Sequence, residues 1–387
     1  MEKKFYYTGL QEEATICGRC GYCRDVCPAF AAGGWETYSP RGKLALVQAM
    51  KNNEYPPKLV ERVYQCTLCS ACREACHVNI DTRKMWLELR HRIVSAGLAP
   101  EAMYSLKETV LAKGNISGED PQSRLLWAEN LGEELPVGLT GKKQAEVLYF
   151  LGCVASLYPA AFSISQSMVK IMLKAGVNFT TLGADEICCG FPLLAAGMPE
   201  EAAQLAVRNI AKVEALAPSL IVTTCPSCLH TWKHEYPRLL NRALPVPILH
   251  SSQYLLRLVE EGRLNISTRK EVVTYHDPCD LGRNNGIYEE PRQLITSVPG
   301  IELIEMERNR ANSLCCGGGG NLEMVDQQLS AAIGSLKVEM IKRTGAQTVI
   351  TTCQQCKRTI GGAIRKARVR VRVQDLTEFI VSSLKNC

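Results

Sequence analysis

Ile221-Val222-Thr223-Thr224-Cys225 and Val349-Ile350-Thr351-Thr352-Cys353 are nearly the same five-residue run, met twice in one chain. Each is short, β-branched and ends at a cysteine, which is a strand signal. A second cysteine follows three positions later in both, Cys228 and Cys356. Working outward, Cys188-Cys189-Gly190 matches Cys315-Cys316-Gly317 and Cys153 matches Cys279, at offsets that change only from 126 to 128 residues. The C-terminal part is therefore an internal duplication with almost no insertion. Each copy opens on another expected strand, Val147 to Cys153 and Val272 to Cys279. Apolar residues at three- and four-residue spacing predict helices over 200–216 and 322–344. Strand–helix–strand order implies two similar α/β subdomains with parallel sheets.

The N-terminal part is read from its own pair of runs. Cys17, Cys20, Cys23 and Cys27, followed by Pro28, are repeated in spacing by Cys66, Cys69, Cys72 and Cys76. Two-residue gaps let three thiolates of one loop grip three irons of a [4Fe–4S] cube, and the fourth ligand must come from elsewhere. In two-cluster ferredoxins the last cysteine of each run binds the other cube. One cube is thus expected on Cys17, Cys20, Cys23 and Cys76, the second on Cys66, Cys69, Cys72 and Cys27. Zinc prefers ligands in pairs, not triplets plus one. His77 stands where Pro28 stands in the first run; eight cysteines leave it no vacancy, so it should face solvent or hydrogen-bond. Helical patterns at 44–50, 59–64 and 85–94 make this a helical two-cluster domain.

The five cysteines of each C-terminal copy need a different account. A vicinal pair chelates one tetrahedral zinc poorly, whereas two adjacent thiolates can serve different irons of one multinuclear cluster. Glycine after the pair lets backbone come close, and Gly317-Gly318-Gly319-Gly320 extends that freedom. Those glycines are no dinucleotide fingerprint, since no strand–G-x-G-x-x-G–acid arrangement surrounds them. A thioredoxin-type dithiol at the C-x-x-C pairs would leave three cysteines per copy unexplained.

Composition agrees with this layout. The 387 residues are 46% hydrophobic and 22% charged, which is globular, and 19 of them are cysteine. A chain this long needs no disulfide scaffold; the odd count argues against a closed disulfide set. The start holds no apolar signal region and no run reaches 18 apolar residues, so a cytoplasmic protein without a transmembrane segment is expected. The formal charge of +6 falls to about +2 with two cubes of about −2 each, and no nucleic-acid partner is inferred. Arg365 to Arg372 alternates Arg with Val and reads as an exposed strand edge. The expected organisation is α+β multi-domain. Residues 1–100 form the helical two-[4Fe–4S] ferredoxin-type domain and 101–145 a linker. Residues 146–265 and 266–387 form the duplicated α/β subdomains.

These motifs resemble the CCG domains of the heterodisulfide reductase group. The chain as a whole resembles that group's D-type subunit, which fuses a two-cube domain to two CCG repeats. The resemblance spans about residues 15–360 and places 18 of the 19 cysteines on family positions. Ser39-Pro40-Arg41-Gly42-Lys43 is typical of the wider group, which includes iron–sulfur subunits of glycolate and lactate oxidases and of class II benzoyl-coenzyme A reductase complexes. The resemblance implies one noncubane [4Fe–4S] cluster per repeat. Its ligands would be Cys153, Cys188, Cys189, Cys225 and Cys228, then Cys279, Cys315, Cys316, Cys353 and Cys356. In heterodisulfide reductases that pair splits a disulfide held between the repeats.

Two functions follow: an electron relay between redox partners, or a disulfide reductase with the repeats as its active site. His276-Asp277, His230 and Arg283 are candidate pocket residues, though His276-Asp277-Pro278 also suits a strand end. With no flavin or nicotinamide motif, electrons must come from a flavoprotein, a ferredoxin or another iron–sulfur subunit of a larger complex. Cys387 follows the last motif and is expected to be dispensable.

Overall fold

The computed structural model describes residues 9–50, 54–129, 131 and 136–385, so Cys387 lies outside the described residues. The first part is helical. Short helices frame the cysteine runs, and Thr82–Ser95 is the long helix behind them, N-capped by Asp81, whose carboxylate accepts from the Lys84 amide. Pro40–Gln48 begins with Ser39 as cap and Pro40 as first residue. Gly42 is required there, because a Cβ would overlap the Glu36 carbonyl. Glu101–Lys113, within the expected linker, is a 13-residue helix burying Met103, Leu106 and Val110. It shares a core with Trp86 and Leu89 of the preceding helix and with Leu193 and Leu194 further on.

The duplicated part forms two four-stranded parallel sheets of identical order. β1 (Val147–Phe150), β2 (Phe179–Thr180), β3 (Leu220–Thr223) and β4 (Ile248–His250) are arranged β2-β1-β3-β4. β5 (Glu271–His276), β6 (Ile301–Leu303), β7 (Thr348–Thr351) and β8 (Arg372–Asp375) are arranged β6-β5-β7-β8. The registers correspond: Phe150 faces Thr223 in the first sheet and His276 faces Thr351 in the second. Burial of every residue of β1 and β7 is what a parallel sheet covered on both faces requires. The helix Phe162–Lys174 of the first unit packs on Leu376–Val381 of the second, joining both into one core.

Four local expectations need correction. The strands opening each repeat stop before their cysteines: β1 ends at Phe150, where Gly152 at φ +79° turns the chain into a helix headed by Cys153. β5 ends at His276, and Pro278 cannot donate to a ladder. The helix expected over 322–344 is two helices, Leu322–Val325 and Gln327–Arg343, split at Asp326, which leaves helical backbone to cap the second through the Leu329 amide. The basic run is mainly the end of the helix Gln354–Ala367 and a connector. Only Arg372 belongs to β8, although Val369 and Val371 do face the core while Arg370 and Arg372 face out.

Candidate metal centres

None of the eighteen described cysteines is paired in a disulfide. The structure gathers seventeen of them around three cavities. One, of about 390 Å³, is lined by Cys17, Cys20, Cys23 and Cys76, with Cys72 on its wall. The second, of about 380 Å³, is lined by Cys27, Cys66, Cys69 and the same Cys72. Each run therefore contributes its last cysteine to the other run's cavity. The Ser39-Pro40-Arg41-Gly42-Lys43 segment gives each cavity one cation, Arg41 to the first and the buried Lys43 to the second. Arg41 is anchored by Glu36 at 2.7 Å, and the Lys43 ammonium donates to the Tyr38 carbonyl. Burial holds the Cys23 and Cys27 thiols up at about 11, so ionising them needs a cationic partner. His77 is exposed, with Nδ1 3.6 Å from the Cys20 sulfur and its ring edge-on to Tyr22.

The third cavity lies between the repeats and holds about 890 Å³ of empty space, part of it open to solvent. It is lined by Cys153, Cys188, Cys189, Cys225 and Cys228 of the first repeat and by Cys279, Cys316, Cys353 and Cys356 of the second. Cys315 sits behind it, against Cys69 and Cys279. In both repeats the C-x-x-C pair starts a helix, with Cys225 and Cys353 as N-caps; the Cys353 sulfur accepts from the Cys356 amide. Free N–H groups at a helix start favour thiolates. The second cysteine of each vicinal pair meets the last cysteine of its repeat: Cys189 to Cys228 at 3.4 Å and Cys316 to Cys356 at 3.3 Å. Hydrogen bonds from Cys188 and Cys228 pull Cys189 down to about 6. Those from Cys315 and Cys356 pull Cys316 well down too. Convergent soft thiolate donors in such numbers fit a multi-iron sulfide group and no hard cation.

Cys69 of the first domain and Cys315 of the second repeat pack together in one small buried cluster. Arg283 braces that junction: its guanidinium donates to the carbonyls of Cys69 at 2.6 Å and Ser313 at 2.8 Å. The glycine run contributes differently from the sequence expectation. Besides approaching the cysteines, Gly319 and Gly320 let the second repeat lie directly on the cysteine loop of the first domain. A Cβ on Gly319 would come 2.6 Å from the Thr67 carbonyl, and one on Gly320 would overlap the carbonyl of Cys66.

Of the candidate pocket residues, none lines the cavity. Asp277 is held by Arg292 at 2.7 and 2.9 Å, His230 lies 2.7 Å from Arg83, and Arg283 serves the junction. His276 is buried behind the second cysteine set. Several residues other than the motif cysteines contribute. Gln354 reaches from the second repeat to the Leu151 carbonyl and the Ala155 amide of the first. Arg124 donates to the Cys153 sulfur at 3.3 Å and pairs with buried Glu186 at 3.1 Å. Asp280 lines the cavity and accepts from Ser227 at 2.6 Å.

A family model of the 4Fe-4S dicluster domain matches residues 13–80, and one of the cysteine-rich CCG domain matches 147–233 and 273–361. The chain belongs to the class of iron–sulfur proteins that join a dicluster ferredoxin domain to two CCG domains. Along almost its whole length it is similar to the D-type subunit of the dihydromethanophenazine:CoB–CoM heterodisulfide reductase of Methanosarcina barkeri. The two are 28% identical, over 96% of this chain and 94% of that one. It is 31% identical to a probable membrane-anchored ferredoxin of Chromohalobacter salexigens, across 96% of this chain and 60% of that protein. It is 25% identical to the EtfAB:quinone oxidoreductase of Syntrophomonas wolfei, across 95% and 58%. The chain is an iron–sulfur subunit of oxidoreductase type. No described helix is long and apolar enough to cross a membrane.

Proposed function

We propose that this chain is the electron-transfer subunit of a heterodisulfide-reductase-like, multi-subunit oxidoreductase, passing electrons between a flavoprotein or ferredoxin partner and its CCG clusters. The observation that carries the reading is the unbroken series of cysteine-lined cavities. The first shares Cys72 with the second, the second meets the last repeat through Cys69 and Cys315, and the two repeats open on one cavity. Cys17, Cys20, Cys23 and Cys76 would hold one cubane [4Fe–4S] cluster, and Cys27, Cys66, Cys69 and Cys72 the other. The two cysteine quintets would each hold a noncubane [4Fe–4S] cluster. Such clusters supply one-electron transfer without making or breaking bonds to a substrate. The protein's part is to bury the sulfurs, supply cations, and fix the spacing through Arg283 and Gln354.

The cavity common to both quintets favours a second reading, in which it receives a disulfide for reductive cleavage. The two are separated by reducing the isolated, anaerobically purified chain with dithionite, removing excess reductant and adding a thiol-cofactor disulfide. The relay reading expects no stoichiometric thiol release without a partner, together with loss of electron delivery to a flavoprotein in Cys189→Ser and Cys316→Ser. Stoichiometric release by the isolated chain, abolished by both substitutions, would establish the reductase instead.

A further inference from the structure

The repeats correspond in strand order and register, yet differ at two positions behind their cysteines. The register that sets Phe150 opposite Thr223 sets His276 opposite Thr351. Likewise, Gly190 packs on Ala202 and Gly317 on Ser330, so seven residues further along each helix Asn209 of the first repeat corresponds to Lys337 of the second. Asn209 is a structural amide. It donates to the Cys188 carbonyl at 3.1 Å and meets the Tyr236 hydroxyl at 2.8 Å, which in turn bonds the Cys189 carbonyl. Lys337 and His276 have no such occupation. Lys337 is 0% exposed, and among the described residues its ammonium reaches only the Met306 sulfur, at 3.7 Å. His276 is 1% exposed, and among the described residues neither ring nitrogen has a hydrogen-bond partner. Its ring lies within 4.8 Å of both the Cys316 and Cys356 sulfurs.

Buried polar groups left without partners are costly, so an ammonium and an imidazole stranded together call for something between them to neutralise. The groups facing Lys337 are Cys316, Cys315, Asp277 and Cys356. Asp277 is already bound to Arg292, which leaves the thiolates. The first repeat differs: its nearby cation, Arg124, is compensated by Glu186.

We propose that His276 and Lys337 are positioning residues that make the two CCG sites unequal, stabilising added negative charge at the second quintet so that it is reduced before the first. The inference rests on the reading that both quintets hold a cluster, and deepens it by fixing their order. The step is a one-electron transfer from a low-potential donor, which is oxidised, to the second site, which is reduced; no bond forms or breaks and no proton moves. An ammonium in a low-dielectric interior acts on such a charge far more strongly than it would in water.

The test is a redox titration of the full anaerobic chain with dithionite, followed by electron paramagnetic resonance, with iron counted separately. Signals are assigned by their loss in Cys189→Ser and Cys316→Ser. In the wild type, the signal lost in Cys316→Ser should have the higher midpoint. His276→Phe with Lys337→Asn, which copies the first repeat into the second, should lower that midpoint toward the other while iron content and cubane signals stay unchanged. Lys337→Arg, which keeps the charge, should hold it higher than Lys337→Asn does. A wild-type order with the first site higher would overturn the proposal even if no variant folds, as would an unmoved midpoint in an iron-replete double variant. Iron near eight per chain would instead remove the clusters from the quintets and defeat the underlying reading.

Discussion

Arg90 offers the most direct test of how the cysteine sites are held in place. It is 0% exposed, and backbone carbonyls rather than carboxylates solvate its guanidinium. These belong to Val63, Tyr64 and Cys66 of the first domain, Ala195 of the first repeat and Gly320 of the second. Arg90→Lys keeps the charge but offers at most three donors, so at least two of these five carbonyls lose their partner. At about 1–3 kcal/mol for each unsatisfied buried group, the variant should lose about 2–6 kcal/mol. Anaerobic urea denaturation followed by tryptophan fluorescence measures this, and buried Trp86, four residues earlier on the same helix, reports locally. Hydrogen exchange should rise together at residues 66–67, 195–197 and 319–321. A loss below about 0.5 kcal/mol, or faster exchange confined to the Arg90 helix, would refute the idea that one side chain ties three units together.

Further outcomes follow from the same structure. Cys76→Ser should remove the cubane signal that Cys17→Ser also removes, whereas Cys69→Ser should remove the other; EPR of the three variants decides, and pairing of Cys76 with Cys69 would contradict the crossed arrangement. Gly320→Ala adds a left-handed alanine, about 1 kcal/mol, to an overlap with the Cys66 carbonyl, about 1–3 kcal/mol. Gly345→Ala, at φ +67° with open space around it, should cost only the first part, so equal denaturation midpoints for the two would show that the overlap is harmless. His250 is fully buried and its folded-state value is pushed down to about 3 by that burial, while the unfolded chain takes up a proton near 6.5. Its contribution is therefore complete above pH 6.5 and falls with pH, by about 2 kcal/mol at pH 5. His250→Gln should flatten that part of the stability–pH curve, and an unchanged slope would refute the assignment.

Spacing alone makes the cysteine triplets legible as a pattern: Cys17, Cys20 and Cys23 recur at the intervals of Cys66, Cys69 and Cys72, and each triplet lines one cavity. The repeat is legible for the same reason, and Thr224-Cys225 against Thr352-Cys353 fixes its register. What the sequence hides is whatever acts across the chain. Arg90 and Arg124 meet the cysteine sites from distant segments, where nothing in their neighbours marks them, and Gln354, though inside the Cys353–Cys356 pair, gives no sign that it reaches the other repeat. The break at Asp326 is hidden because residues on either side keep a helical pattern, and only the cap geometry separates them. Lys337 and His276 do carry a signal: aligning the repeats sets them against Asn209 and Phe150, a mismatch of charge in otherwise matching surroundings. The glycines at 319 and 320 suggest freedom near the cysteines, whereas contact with another domain sets much of their need.

The order of the cysteine sites in space is not their order along the chain. The first domain touches the last-made repeat through Cys69 and Cys315, so the polypeptide's final third lies in the middle of the series. With residues 266 onward removed, the first domain would keep the core it shares with the first repeat, but the Cys69–Cys315 contact and the second quintet would be gone. Shortening such a protein from its C-terminus does not trim an end. On the proposed relay it would cut the series at its centre, between the Cys69–Cys315 contact and the cavity the repeats share.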